Sequence, residues 1–254
     1  MTSENVPRQT PSTPAAVPSD TRWDWVLCGL LVLILAFYYG LLQNGQWVPV
    51  SDSDGYIAVA RNIVVGKGMR FNGYPARRMP PGWPYAVAAA MGVSGSFRFL
   101  NLLPMTMFLG AMALGYRIVR RLVRPPVAFA VVLASGIISW QYHLTYMLHS
   151  EGLFCLACAA AILLALQIGE GRTLGWRLPV VLIACAVAVI SRWPGVLACL
   201  VVAAALLSGE AAPRPNRKWF CAAATLALGV GMFCLVWFGV KGGWFAGPGE
   251  PPPR

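Results

Sequence analysis

The sequence predicts an all-α protein that crosses a membrane several times. Three observations carry that prediction. Hydrophobic residues make up 57% of the chain and charged residues only 11%, against roughly 25% charged in an ordinary soluble domain. The apolar residues come in long stretches separated by short polar loops. The arginines and lysines concentrate in alternate short loops, as the positive-inside rule requires of a multi-spanning chain. The net charge of +11 is therefore mostly topological, with an added attraction to anionic membrane lipids. The cations are scattered over loops rather than clustered, which argues against nucleic acid as a partner.

Residues 1–22, rich in Pro, Ser and Thr, predict a disordered cytoplasmic tail. Residues 25–42 hold 18 uncharged positions, enough for a helix that stays in the bilayer, and no clear cleavage site follows. A long outer loop, 43–98, comes next. Within it, residues 54–65 predict an amphipathic helix along the membrane surface. Asp54 and Arg61 share one face of it, and Tyr56, Ile57, Val59, Ile63 and Val64 supply apolar surface. The following GKGMRFNGYPARRMPPGWP reads as a loop dense in Gly, Pro and Arg. Residues 82–93 are apolar but too short to cross comfortably, so they predict a re-entrant or interfacial helix.

Further spans are expected at 99–116, 126–142, 152–168, 178–191, 193–208 and 219–240, about seven crossings in all. Arg192-Trp193-Pro194-Gly195 divides residues 178–208, and two short helices meeting at a turn are favoured over one kinked helix. Charge supports that choice. With the N-terminus cytoplasmic, seven crossings place Arg117, Arg120, Arg121 and Arg124 inside, with Arg172, Arg177, Arg214, Arg217 and Lys218. The short outer loop 143–150 has no Lys or Arg. A membrane module over 23–240 then ends in a Gly/Pro-rich extracytoplasmic tail, 241–254. The seven cysteines fall in apolar spans and read as small packing residues. His143 and His149 flank an outer loop without a ligand spacing, and Trp47, Trp83, Trp140, Trp193 and Trp244 read as interfacial anchors.

Nine acidic residues are present, and Asp52, Asp54 and Glu151 sit where an apolar helix meets water. A carboxylate near lipid is costly and asks for a reason. Each has a simple structural reading: Asp52 as a helix cap, Asp54 and Glu151 as first-turn acids. Arg61 could pair with Asp54, Arg77 and Arg78 could anchor to headgroups, and Arg192 could mark the outer turn. The predicted topology nevertheless puts all three acids on one outer face.

The order of these elements resembles the GT-C superfamily of polyprenol-phosphate-sugar glycosyltransferases. More narrowly, it resembles the group with aminoarabinose transferases and protein O-mannosyltransferases. The similarity rests on Asp52-Ser53-Asp54-Gly55-Tyr56, Ala60-Arg61, Gly66 and Gly68, and Met79-Pro80-Pro81-Gly82-Trp83-Pro84 in the first outer loop. Ser150-Glu151-Gly152-Leu153-Phe154 and Ser191-Arg192-Trp193-Pro194 complete it, over about residues 25–240. The resemblance implies transfer of a sugar from a polyprenyl-phosphate donor to an acceptor glycan, lipid or protein, with inversion, outside the cytoplasmic membrane. It implies Asp52 as the catalytic acid–base group and Asp54 as helper. Glu151 would hold the acceptor, and either Asp54 or Glu151 a divalent metal. Arg61, Arg77, Arg78 and Arg192, with Tyr56 beside them, would meet the lipid phosphate. Members of the group run longer, so the resemblance also implies a minimal form, a fragment, or half of a split protein with a partner subunit supplying the C-terminal part. Two other readings stay open: a non-catalytic relative that binds lipid-linked sugar or a partner, and a transporter or flippase. The transporter reading favours mid-span charges and an internal repeat, and the sequence has neither.

Overall fold

A computed structural model describes residues 22–43, 45–46, 52–138, 147–208 and 215–246. The described residues form nine α-helices. They are α1 (Arg22–Leu42), α2 (Ser53–Val64), α3 (Gly82–Val93), α4 (Phe97–Val119), α5 (Pro125–Ile137), α6 (Glu151–Gly169), α7 (Arg177–Ser191), α8 (Gly195–Ser208) and α9 (Pro215–Gly242). Four are long and apolar enough to cross a membrane: α1, α4, α6 and residues Lys218–Gly242 of α9. Helices α5, α7 and α8 are apolar but shorter. The protein is thus a helical, membrane-embedded chain. The expected tail 1–22 lies outside the described residues except for Arg22, as do Trp47, Trp140 and His143.

Local signals account for several boundaries. Ser96 caps α4 by accepting from Phe99 N at 3.2 Å. Pro125 and Pro126 open α5, where a missing N–H costs nothing. Residues 178–208 form two helices, as expected. Arg192 between them is extended, with φ −151° and ψ 144°. The chain then reverses so tightly that a Cβ on Gly195 would lie 2.3 Å from Ala188 O. Backbone atoms cannot yield there, so Gly195→Ala is expected to cost about 1–3 kcal/mol. Thermal unfolding in detergent would show it, read with a thiol dye because Cys28, Cys185, Cys199 and Cys221 are buried.

Helix α6 packs against α4, α7 and α8, while α9 covers α7 and α8, and α1 lies against α4 and α5. Small side chains make this closeness possible: Ala161, Ala165, Cys185, Cys199 and Cys221 line the α6–α9 core. Around α1 the packed side chains are larger: Leu31, Leu35, Tyr39, Tyr116 and Val132. There Tyr39 Oη donates to Gly136 O at 2.8 Å.

Ion pairs show which helix ends share a side. Asp24 at the start of α1 is fully buried and accepts from Arg120 Nε at 2.6 Å, just past the end of α4. Arg121 pairs with Glu170 after α6, and Arg177 Nε donates to Gln167 Oε1 at 3.2 Å. One end of the bundle therefore gathers the arginines expected in two inner loops. The opposite end carries α2, α3 and the acids discussed below.

Two expectations need correction. The segment read as a plain loop contains a hairpin, Arg70–Phe71 paired antiparallel with Tyr74–Pro75. Asn72 and Gly73 turn it with φ of 51° and 84°, both positive as a two-residue primed turn demands. The tail expected from 241 starts later, because α9 continues to Gly242 and a 3-10 turn spans Trp244–Ala246. Phe245 O then accepts from Met69 N at 2.6 Å, which ties the chain's last described segment to the hairpin loop.

Candidate functional site

Helix α2 is amphipathic for a reason visible in its packing. Ser53, Tyr56, Ile57 and Ala60 recur at helical spacing and are buried, while Asp54 and Arg61 face out. Asp52 stands at the N-cap position, but its backbone is helical and its side chain forms no capping bond. Its exposed carboxylate is not spent on the helix. Asp54 Oδ1 accepts from Gly55 N at 2.8 Å, so Asp54 serves the first turn.

Tyr56 carries α2 into the bundle. Its hydroxyl lies 3.4 Å from Ser150 Oγ, in a buried contact. Ser150 immediately precedes α6, and Glu151 is the first residue of that helix. Glu151 Oε1 is engaged by the Arg192 guanidinium from the end of α7. Glu151 Oε2 is 3.8 Å from His149 Nδ1. That oxygen is buried and has no hydrogen-bond partner among the described residues. Trp193, next to Arg192, packs edge-on against Trp237 at 5.3 Å and Phe233 at 6.0 Å, which fixes the turn that presents Arg192. On the other flank, a Cβ on Gly82 would meet Ile190 O at 2.8 Å, so α3 starts in backbone contact with the end of α7. Trp83 Nε1 then donates to Leu148 O at 2.5 Å.

The electrostatics tie these groups together. Burial pushes the Tyr56 hydroxyl above its ordinary pKa, opposed by the Ser150 hydrogen bond. The negative charge of Asp52 raises it further, Arg192 lowers it, and Glu151 raises it. All three charges therefore act on one buried phenol. Tyr56 stays neutral at neutral pH. Because its folded pKa is raised, its contribution to stability is complete below the unfolded value of about 10 and falls as pH climbs past that point.

The structure gathers Asp52, Tyr56, Glu151 and Arg192 at one end of the bundle and leaves the other expected residues apart. Arg77 and Arg78 are exposed on the loop before α3. Arg61 is exposed on a different face of α2 from Tyr56, since five residues at 3.6 per turn place the two about 140° apart. It forms no ion pair with Asp54 among the described residues. The expected metal ligands do not converge either. Among the described residues no three His, Cys, Asp or Glu side chains form a metal cluster. Glu151 already holds a cation in Arg192, and Asp54 is turned to its own helix. This donor set does not fit a divalent metal.

Two residues were undervalued by sequence reasoning. His149 sits two positions before Glu151, and only the turn into α6 brings its ring back to the carboxylate. Ser150 looked like part of a motif and proves to be the buried partner of Tyr56. Comparison with protein-family models, with curated proteins and with solved structures gives no match.

Proposed function

We infer that the protein is a membrane glycosyltransferase that moves a sugar from a polyprenyl-phosphate donor to an acceptor, with inversion. The observation that carries this reading is the grouping of an uncommitted carboxylate, Asp52, with the Tyr56–Ser150 contact and the Glu151–Arg192 pair. In such a reaction the acceptor oxygen or nitrogen forms a bond to the anomeric carbon. The bond from that carbon to the phosphate oxygen breaks, and the phosphate leaves with the electron pair. Asp52 takes the acceptor's proton, a task for an exposed carboxylate that caps nothing. Arg192, half-exposed beside Glu151, meets the charge that builds on the leaving phosphate. Glu151 holds that guanidinium in place and keeps one oxygen, Oε2, for the acceptor.

The reading places the site on the extracytoplasmic side, with seven crossings and a cytoplasmic N-terminus. Support comes from the helix ends that share a side: the arginines after α4 and α6 gather opposite to the acid cluster. A partner subunit, supplying further acceptor contacts, belongs to the same proposal. The test is transfer itself. Purified protein, given radiolabelled polyprenyl-phosphate sugars and a membrane extract, is expected to label an acceptor. Glu151→Gln is expected to retain less than about a hundredth of that rate, in line with loss of one preorganised charge contact. No transfer by wild type with any such donor sinks the proposal.

A further inference from the structure

The C-terminal half of α2 borders a groove that the acid cluster does not use. Its volume is about 360 Å³, and it is lined by Arg61 and Val64 of α2, Val65 just past its end, Met91 of α3, and Phe97 and Leu100 of α4. Small-molecule sites run from about 300 to 1,000 Å³. Five of these six side chains are apolar, and the sixth is a cation. Val64 and Val65 are exposed despite being valines, at 51% and 64%. The Arg61 side chain is exposed and makes no hydrogen bond or ion pair among the described residues. A cation in the last turn of α2 suits the helix dipole, but the dipole gives no reason for the open apolar trough beside it.

The groove is also set apart from the acids. Ile57, Leu100 and Leu148 form a buried apolar cluster. Leu100 lines the groove, and Leu148 stands two residues before Ser150. Neither Tyr56 nor Ser150 is among the residues that line the groove. The groove opens where α4, one of the helices long and apolar enough to cross a membrane, begins, and the end of a spanning helix lies near the headgroups.

We propose that this groove is a binding site for one anionic membrane phospholipid, with Arg61 on its phosphate and an acyl chain along Val64, Val65, Met91 and Phe97. Charge complementarity selects the occupant. The single cation faces a trough without any carboxylate in its lining, so an anionic headgroup is paired and a zwitterionic one brings a second cation against Arg61. Arg is suited to that role because its planar fork meets two phosphate oxygens at once. The site needs no transfer chemistry, so it stands or falls separately from the proposed enzyme activity.

The full chain, purified in detergent, is to be incubated with phosphatidylglycerol or phosphatidylcholine and weighed by native mass spectrometry. Wild type is expected to retain one phosphatidylglycerol and to lose phosphatidylcholine. Arg61→Ala is expected to lower phosphatidylglycerol affinity about tenfold, the effect of one charge-assisted phosphate contact, and Arg61→Lys to fall between. Gly95 also borders the groove, and a Cβ there meets nothing within 4 Å. Gly95→Phe should therefore fill the trough without a backbone clash and abolish retention. Lys67→Ala, which removes an exposed cation nearby but outside the lining, should behave as wild type. Equal retention of both lipids, unchanged binding by Arg61→Ala, or an equal loss in Lys67→Ala overturns the proposal. So does occupancy by inorganic phosphate alone, or displacement of the phospholipid by equimolar polyprenyl phosphate.

Discussion

Asp24→Ala is expected to destabilise the protein by about 3–5 kcal/mol, the range for removing one partner of a buried ion pair. Asp24 is fully buried and Arg120 is 5% exposed, and they meet at 2.6 Å. Tyr116 Oη adds a contact to Asp24 Oδ1 at 3.4 Å. Arg120 also donates to Val123 O at 3.1 Å, so its charge is held beneath the end of α4 and cannot swing into water at small cost. Losing the aspartate strands that charge. Asp24→Asn keeps the shape and should fall between wild type and alanine. Asp24→Leu combined with Arg120→Met should recover much of the loss, because replacing both charges removes the desolvation penalty. Melting curves in detergent, followed by exposure of the buried cysteines, measure each step. A wild-type melting temperature for Asp24→Ala would refute the pair's role.

Asp52→Asn is expected to lower sugar transfer by about 10²–10⁴-fold, the usual weight of a positioned general base. Donor binding should change little, because Arg192 rather than Asp52 would meet the phosphate. Folding should be unaffected, since the Asp52 carboxylate makes no capping bond and is exposed. Amide in place of carboxylate removes the proton acceptor and keeps the volume, so the loss should appear in kcat rather than KM. Full transfer by the Asn variant would remove Asp52 from the mechanism.

The helical class was legible because composition and apolar runs are local properties. The break at Arg192–Pro194 was legible for the same reason: charge, proline and glycine fall together between two apolar runs. The gathering of Glu151 and Arg192 followed from counting crossings, which turns a one-dimensional pattern into shared ends. Other features depend on which side chains meet. Nothing local to Asp24 marks it as the partner of Arg120, distant in sequence and brought close by α1 packing on α4. Arg61 was grouped with the other arginines through the resemblance, although helical spacing already set it on the polar face of α2 and Tyr56 among the apolar residues. The hairpin was missed although Asn72-Gly73 is a strong turn signal. Each of its strands has two residues, too few for alternation to show.

The bond from Met69 N to Phe245 O has a consequence for how the protein is made. Met69 lies between α2 and α3 and is made before α3 and all the helices that follow it. Phe245 follows α9 and is made after all the helices from α3 to α9. The loop that frames α2 and α3 therefore waits, incompletely fastened, through the synthesis and insertion of every intervening helix. Contacts this distant along the chain form late, since loop-closure entropy must be met first. The loop beside α2 is thus fastened only after α9 is made, not as part of a unit built from α1 to α3 alone.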